Sequence, residues 1–275
     1  MDRIEAHRLF FAKLIAANAG IPPESEIEAA LASTPREDFV GPAPWKIFTR
    51  SGYIESPADD PALLYQDLVV SLGGEGPFNN GQPTLHAFCI NALGLKKGER
   101  VVHVGAGTGY YTTLLAKLVG ATGSVDAYEI EPDFAKRAAE MLARFPYVTV
   151  HDRSGAEGPL PRCDVLYVNA GATGPQEVWL DALQPNGRLL FPMTPDEGAG
   201  AMLLITKQED GQFAPRFLMQ VQFVPCVGAR DETSAQRLSD AFRNGGWVKV
   251  KSLHRDDAPD ESCWFAGGGW WLSTQ

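Results

Sequence analysis

Two stretches of this chain carry residue types that could hold a nucleoside. Val101 to Gly109 reads Val-Val-His-Val-Gly-Ala-Gly-Thr-Gly, and Ala127-Tyr128-Glu129-Ile130 follows about twenty residues later, the distance at which a nucleotide-binding unit places its next acid. A hydrophobic strand that runs into a glycine turn, then a helix, then a strand closed by an acid, puts bare backbone N–H groups and a carboxylate at two strand tips. The chemistry this implies is that of a cofactor enzyme.

Glycine spacing bears on which cofactor. A dinucleotide site reads GxGxxG, with a third glycine three positions after the second. Here Gly105, Gly107 and Gly109 read GxGxG, and Tyr110 stands where the dinucleotide site needs a glycine. That pattern is similar to S-adenosylmethionine (SAM) sites. Bare backbone at Gly105, Ala106, Gly107 and Gly109 lets the methionine half of SAM lie against the turn, while Glu129, followed by Ile130, accepts both ribose hydroxyls. Asp152 and Ser154 are both candidates for the adenine edge. Asn169, after a buried strand, is read either as a contact to cofactor or substrate or as a plain turn residue.

These residues need elements to hold them. From Arg100 to Phe191 strands and helices alternate: strand 100–104, helix from Gly109, strand 124–130, helix from Pro132, strands 147–150 and 164–168, helix 175–183, strand 188–192. Alternation of this kind predicts an α/β, doubly wound, mostly parallel sheet. Strands 201–206 and 216–224, joined through Asp210-Gly211, predict an antiparallel C-terminal hairpin. Upstream, Leu9, Phe10, Leu14 and Ile15 recur at helical spacing, and Ser25-Glu26-Ile27-Glu28 fits a capping box for a second helix. Residues 41–62 read as extended loop, and Gly73 to Gly81 as a flexible substrate loop. Pro83 opens a helix with Leu85, Phe88, Cys89, Ala92 and Leu93 on one face, ending at Gly94. The expected organisation is an N-terminal helical and substrate-loop region (1–80), a SAM-binding core (81–227) and a small α+β extension (228–275). In that extension a helix is expected near 233–242, with strands at 246–253 and 263–272. It is read as an added layer whose Trp264, Trp270 and Trp271 form its own small core, or alternatively a peptide-binding or dimerisation surface.

Composition sets further bounds. The chain has 275 residues, 44% of them hydrophobic, and a net charge of −10, which argues against a nucleic-acid partner because phosphate binding relies on clustered Lys and Arg. Cys89, Cys163, Cys226 and Cys263 are scattered, without metal-ligand spacing, and read as reduced thiols in a cytoplasmic protein. No membrane span and no metal site are expected.

Several segments together resemble one family, the protein L-isoaspartate O-methyltransferases. Pro35-Arg36-Glu37-Asp38-Phe39-Val40 is similar to its PRE.FV box, and Gln82-Pro83-Thr84-Leu85-His86-Ala87 to its substrate-helix box. The glycine turn, Leu183 to Pro192 and Gln222-Phe223-Val224-Pro225 follow in order. The resemblance implies the Rossmann-like class I methyltransferase fold, SAM as cofactor, and methyl transfer to the carboxylate of L-isoaspartyl residues in peptides or proteins, a repair reaction. By the same resemblance Gln82 and His86 lie by the cofactor. Gly81 stands where the family has a serine near the reacting carboxylate, with Asn79, Asn80 and Thr84 as the remaining donors, and a serine restored at 81 is expected to fit. His103 replaces an acid two residues ahead of the first glycine and reads as a buried neutral substitute at the cofactor turn.

A carboxylate acceptor is already ionised at pH 7 and needs no general base, so holding the acceptor and excluding water can supply most of the rate. Free N–H groups at the start of the helix from Pro83 are expected to help hold it. Two alternatives stay open: the same fold with a changed acceptor, such as a small molecule or a biosynthetic peptide, or a module that binds SAM or isoaspartyl without turnover. Gly81 and His103 motivate both.

Overall fold

The computed structural model describes residues 1–74 and 76–275. The chain forms two compact units, one of Met1–Glu99 with Ala106–Arg153, the other of Arg100–Gly105 with Ser154–Gln275. Glu75, part of the predicted substrate loop, lies outside the described residues.

The first unit begins with helices α1 (Arg3–Asn18), α2 (Glu26–Ala32) and α3 (Glu37–Val40). Ser25 caps α2 as its sequence predicts, its Oγ accepting from the Glu28 N–H at 3.2 Å. Residues 41–62 are not all loop, because Lys46–Thr49 (β1) and Gly52–Glu55 (β2) form an antiparallel hairpin with Phe48 opposite Tyr53. Two four-residue strands in a segment rich in Pro, Gly and Ser leave too short a period-two signal to stand out. Arg36 is fully buried and ties this unit together: Nη1 donates to the carbonyls of Leu64 (2.6 Å) and Gln66 (2.7 Å), Nη2 to that of Leu68 (3.0 Å). Three charge-assisted bonds from one buried cation hold the stretch 64–68 in place, including Asp67.

Helix α4 (Pro83–Leu93) starts at Pro83 and ends at Gly94 in the left-handed conformation, φ 58°, as expected. Its inward face differs from the predicted one. Pro83, His86, Ala87, Cys89, Ile90 and Leu93 are buried, and Leu85, Phe88 and Ala92 are only partly so. His86 counts as polar in a periodicity argument, yet it belongs to the buried face.

The alternation then follows the sequence closely: β3 (Arg100–Val104), α5 (Tyr110–Val119), β4 (Ser124–Glu129), α6 (Pro132–Leu142), β5 (Val148–Asp152), β6 (Cys163–Val168), α7 (Glu177–Ala182) and β7 (Leu183–Met193). Within the first unit β4 and β5 pair in parallel, with Glu129 opposite Asp152. Within the second, β3, β6 and β7 pair in parallel, with His103 opposite Tyr167 and Val104 opposite Val168. β7 starts directly where α7 stops, five residues ahead of the predicted 188. Parallel strands covered on both sides need continuous apolar runs, and β3 and β6 supply them.

Strands β8 (Gly200–Lys207) and β9 (Phe213–Val221) form the predicted antiparallel hairpin next to β7. The rest of the tail comprises α8 (Glu232–Asn244), β10 (Ser252–Arg255), β11 (Cys263–Ala266) and β12 (Trp270–Ser273). It extends the sheet instead of layering on it, because Leu253 of β10 pairs with Phe213 of β9. The expected single strand 263–272 is two strands folded back at Gly267–Gly269. Trp264 packs edge-on to Phe217 and Phe242, Phe217 in turn packs edge-on to Trp247, and Trp271 stacks on His254. Both belong to the aromatic packing of the tail and β9. All four cysteines are thiols, and among the described residues no helix is long and apolar enough to cross a membrane.

His103 bears on stability. Burial alone pushes its imidazole pKa down to about 3, against an ordinary 6.5. A depressed histidine is neutral in the fold while the unfolded chain binds a proton, so its contribution to stability is present above pH 6.5 and lost as pH falls toward 3. Chemical denaturation should therefore show about 2 kcal/mol lost between pH 6.5 and 5. His103→Gln should flatten that slope, and an unchanged slope in the variant would disprove the assignment.

Candidate active site

Within the first unit the glycine turn is a bend that only glycine follows easily: Gly107 and Gly109 have φ of 55° and 95°. Thr108, between them, is 2% exposed, and its hydroxyl donates to the Phe39 carbonyl at 2.6 Å. The bend is therefore tied to the end of α3. Gly109 is the N-cap of α5 and stands close to α6, since a Cβ there would meet Leu142 Cδ1 at 3.2 Å. Glu129, 7% exposed at the end of β4, closes the other side. Its Oε2 accepts from the Gly107 N–H at 2.6 Å and its Oε1 from the Glu131 N–H at 3.0 Å. Burial raises the Glu129 carboxyl above its ordinary 4.5, opposed by the backbone N–H groups of Glu131, Gly107 and Ile130. The carboxylate is thus held in one orientation at the bend, with further lone-pair directions on each oxygen.

Ile130, next in the chain, is 39% exposed, and Asp152 is exposed at the tip of β5 opposite Glu129. Ser154 lies in the second unit, where its Oγ accepts from the Ala156 N–H (3.1 Å) and donates to the Val227 carbonyl (3.4 Å). Of the two residues competing for the adenine edge, Asp152 is the one in register with the ribose candidate.

The predicted substrate residues also gather in the first unit. Asn79 Oδ1 accepts from the Gly81 N–H at 2.9 Å, and Asn80 Oδ1 accepts from the Val70 N–H at 2.8 Å. Both amide oxygens therefore shape the loop. Gly81 has a φ of 68°, and a Cβ built there would lie 2.1 Å from His86 Nε2. The serine expected to fit at 81 does not fit: the backbone is left-handed and the space is filled by imidazole. His86 stacks on Tyr111, ring centroids 3.8 Å apart, and the Tyr111 hydroxyl donates to the Gly81 carbonyl at 3.4 Å.

The start of α4 differs from expectation too. The Thr84 N–H is accepted by Asp67 Oδ1 at 2.9 Å, and Gln82 Nε2 donates to Asp67 Oδ2 at 3.0 Å. A carboxylate of the chain itself already satisfies the positive end of this helix. Asp67 and Tyr111 are the residues the sequence reading missed. For Asp67 a signal existed, since Gln82 is a poor N-cap and its side chain caps nothing. The Thr84 hydroxyl, in contrast, is buried with no hydrogen-bond partner among the described residues.

In the second unit His103, Gly105 and Asn169 meet. His103 Nε2 is 2.8 Å from Asn169 Nδ2, and a Cβ at Gly105 would lie 3.4 Å from the Asn169 carbonyl carbon. A separate cavity of about 620 Å³ lies between α7, the start of α8 and the β11–β12 turn, with Arg230, Arg237 and Arg255 balanced by Glu177, Asp231 and Asp256. None of the predicted site residues lines it.

A glycine bend after a parallel strand and an oriented carboxylate at the next strand tip are the parts of a nucleotide-binding α/β fold. The family model of protein-L-isoaspartate(D-aspartate) O-methyltransferase matches residues 10–231, and the chain belongs to that family. It is 29% identical over 212 residues to a protein-L-isoaspartate O-methyltransferase of Ignicoccus hospitalis, covering 76% of this chain and 92% of the relative. To one of Anaeromyxobacter sp. it is 32% identical over 204 residues, covering 71% and 73%. Among solved structures, a protein-L-isoaspartate O-methyltransferase superposes with a TM-score of 0.68 at 20% identity, covering 93% of this chain and 74% of that one. A putative one from Plasmodium falciparum, in complex with S-adenosyl-L-homocysteine, gives 0.64 at 19% identity, covering 80% and 98%. These likenesses establish the Rossmann-like methyltransferase fold expected from the alternation. The chain is a SAM-dependent methyltransferase.

If Glu129 grips the ribose, Glu129→Gln should weaken S-adenosylhomocysteine binding by about 1–3 kcal/mol, the range for a hydrogen bond to a charged group. In the parent protein, affinity should fall with pH in a window starting above 4.5, because the carboxyl is raised and only its ionised form accepts twice. Titration calorimetry across pH checks both. A variant with undiminished affinity, or the same pH profile, would remove Glu129 from the site.

Proposed function

We propose that this chain transfers the methyl group of SAM to the carboxylate of L-isoaspartyl residues in peptides or proteins. When bound, the cofactor supplies an electrophilic methyl group on a positively charged sulfur. The glycine bend and Glu129 fit such a ligand. Gly107 is partly exposed and carries no side chain, and a carboxylate fixed by two backbone N–H groups stands ready for paired hydroxyls. Asp152 is assigned to the adenine edge.

The observation that carries the acceptor assignment is the Thr84 hydroxyl, buried and unpartnered in the first turn of α4. An unmet buried donor costs about 1–3 kcal/mol, so its retention needs a reason, and an acceptor carboxylate provides one. Thr84 offers the hydroxyl that position 81 cannot, because His86 fills that space. Asp67 fixes the Thr84 backbone through its N–H, and Arg36 holds the strip of chain that carries Asp67. The acceptor needs no deprotonation at pH 7, so the residues around it orient and dehydrate it. The match over residues 10–231 spans both the substrate helix and the glycine bend, which supports isoaspartyl as the acceptor.

Incubating isoaspartyl and aspartyl forms of one peptide with labelled SAM should release methanol from the isoaspartyl form alone. Cofactor binding without transfer to that peptide would favour a changed acceptor or a binding module. Thr84→Val should lower kcat/KM about tenfold, a loss of roughly 1.4 kcal/mol, and leave S-adenosylhomocysteine affinity unchanged. Gly81→Ser should destabilise the fold by about 1–3 kcal/mol, read by thermal or chemical unfolding, because of the left-handed backbone and the imidazole contact. A fully stable Gly81→Ser protein would refute the packing described for His86.

A further inference from the structure

The chain carries a net charge of −10, yet the β1–β2 hairpin reads Lys-Ile-Phe-Thr-Arg-Ser-Gly-Tyr-Ile-Glu over residues 46–55, two basic residues against one acid. Phe48 is 53% exposed, Tyr53 42% and Ile54 57%. Neighbouring side chains of a strand point to opposite faces, so β2 turns an apolar residue to solvent on each. Phe48 and Tyr53 lie opposite one another and pack edge-on, ring centroids 5.4 Å apart. Lys46 and Arg50 are exposed beside them in the chain.

The hairpin has one open edge. The Lys46 carbonyl accepts from the Ser71 N–H at 2.8 Å and the Phe48 N–H donates to the Val69 carbonyl at 2.9 Å, so these two residues turn their backbone groups toward 69–71. Ile47 and Thr49 face Ile54 and Gly52 instead, and by alternation the N–H and C=O groups of Tyr53 and Glu55 point away from β1. Among the described residues β2 pairs with β1 alone. Edge strands are usually blunted by a charge, a proline or a bulge, and Gly52-Tyr53-Ile54 has none of these. On its other side the hairpin continues into the predicted substrate loop. Ile47 bridges Val70, Ser71 bridges Asn79, and Asn80 holds Val70 at both its N–H and its carbonyl. The loop beside Thr84 and the open edge are thus parts of one ladder inside the first unit. Three strand spacings separate Asn79 from β2, about 14 Å, a span that an extended chain covers in about four residues.

We propose that the hairpin docks the segment flanking the isoaspartyl residue: an extended, acidic stretch of the substrate chain pairs with Tyr53 and Glu55 along the edge of β2 and lays its side chains against Phe48 and Tyr53. The proposal rests on the acceptor reading above and adds a surface that selects substrates by the length and charge of their flanks. The occupant is extended because an open edge offers its N–H and C=O groups only to another strand. It is acidic because Lys46 and Arg50 give this hairpin a positive balance on a chain that is negative as a whole, and such a patch attracts negative segments.

Steady-state methylation by the full chain tests this with an isoaspartyl hexapeptide and with the same hexapeptide extended on both sides by about eight residues rich in Glu. The extended peptide should have a KM about tenfold lower at similar kcat. Phe48→Ser combined with Tyr53→Ser should raise its KM to that of the hexapeptide, with S-adenosylhomocysteine affinity by calorimetry showing that the variant is folded. In the parent protein, N-methylation of the backbone amides in the extensions should remove the same advantage, and extensions rich in Lys should never have it. A KM independent of length would overturn the proposal, and so would an equal loss for both peptides in the double variant, which would mean a disturbed acceptor loop. A parent dimer that the double variant disperses, with peptide kinetics unchanged, would assign the surface to a second copy of the chain and overturn it too. A parent protein that binds S-adenosylhomocysteine but methylates neither peptide would sink the acceptor reading, and this proposal with it.

Discussion

The hydrogen bond between the Gly107 N–H and the Glu129 carboxylate, 2.6 Å long, is the contact on which the cofactor side depends. It joins the bend after β3 to the tip of β4, and it requires a residue without Cβ at a φ of 55°. A carboxylate buried to this degree is costly unless several N–H groups face it, and those of Gly107 and Glu131 do. The bend and the acid therefore stabilise one another. Thr108 and Gly109 anchor this bend further, one through the α3 carbonyl and the other through contact with α6.

On the acceptor side the same logic runs through a chain of charged contacts. The buried guanidinium of Arg36 holds three carbonyls along 64–68, and Asp67 in that segment caps α4 at Thr84 and Gln82. The family box around Pro35 to Val40 thereby gains a physical meaning: its arginine reaches the substrate helix through one intermediary carboxylate. Gly81 and His86 share one packing arrangement. His86, stacked on Tyr111, takes the volume a side chain at 81 would need, and the loop asparagines turn their oxygens to backbone N–H groups.

The tail changes the sheet more than its length suggests. By pairing β10 onto β9, it converts the end of the hairpin into a longer antiparallel run, burying Trp271 on His254 and packing Trp264 on Phe217. An edge strand left open is a liability, and this extension covers β9. The two strands at Cys263–Ala266 and Trp270–Ser273 were not separable in sequence, because three consecutive glycines between aromatic residues suit a close turn as well as a weak strand.

The order of strands and helices from Arg100 to Met193, the GxGxG bend, the acid at Glu129 and the family were all legible in the residues, because each depends on local patterning: apolar runs, glycines at fixed offsets, a proline at a helix start. Which face α4 buries, the hairpin at 46–55, the occupied N-terminus at Thr84 and the imidazole in the space over Gly81 were decided only by the tertiary structure. Each turns on a partner distant in the chain, as with Arg36 and Leu68 or Asp67 and Thr84, or on the volume left between packed side chains. A one-dimensional pattern records neither of these, since hydrogen-bond satisfaction and space-filling are settled only when all the neighbours are in place.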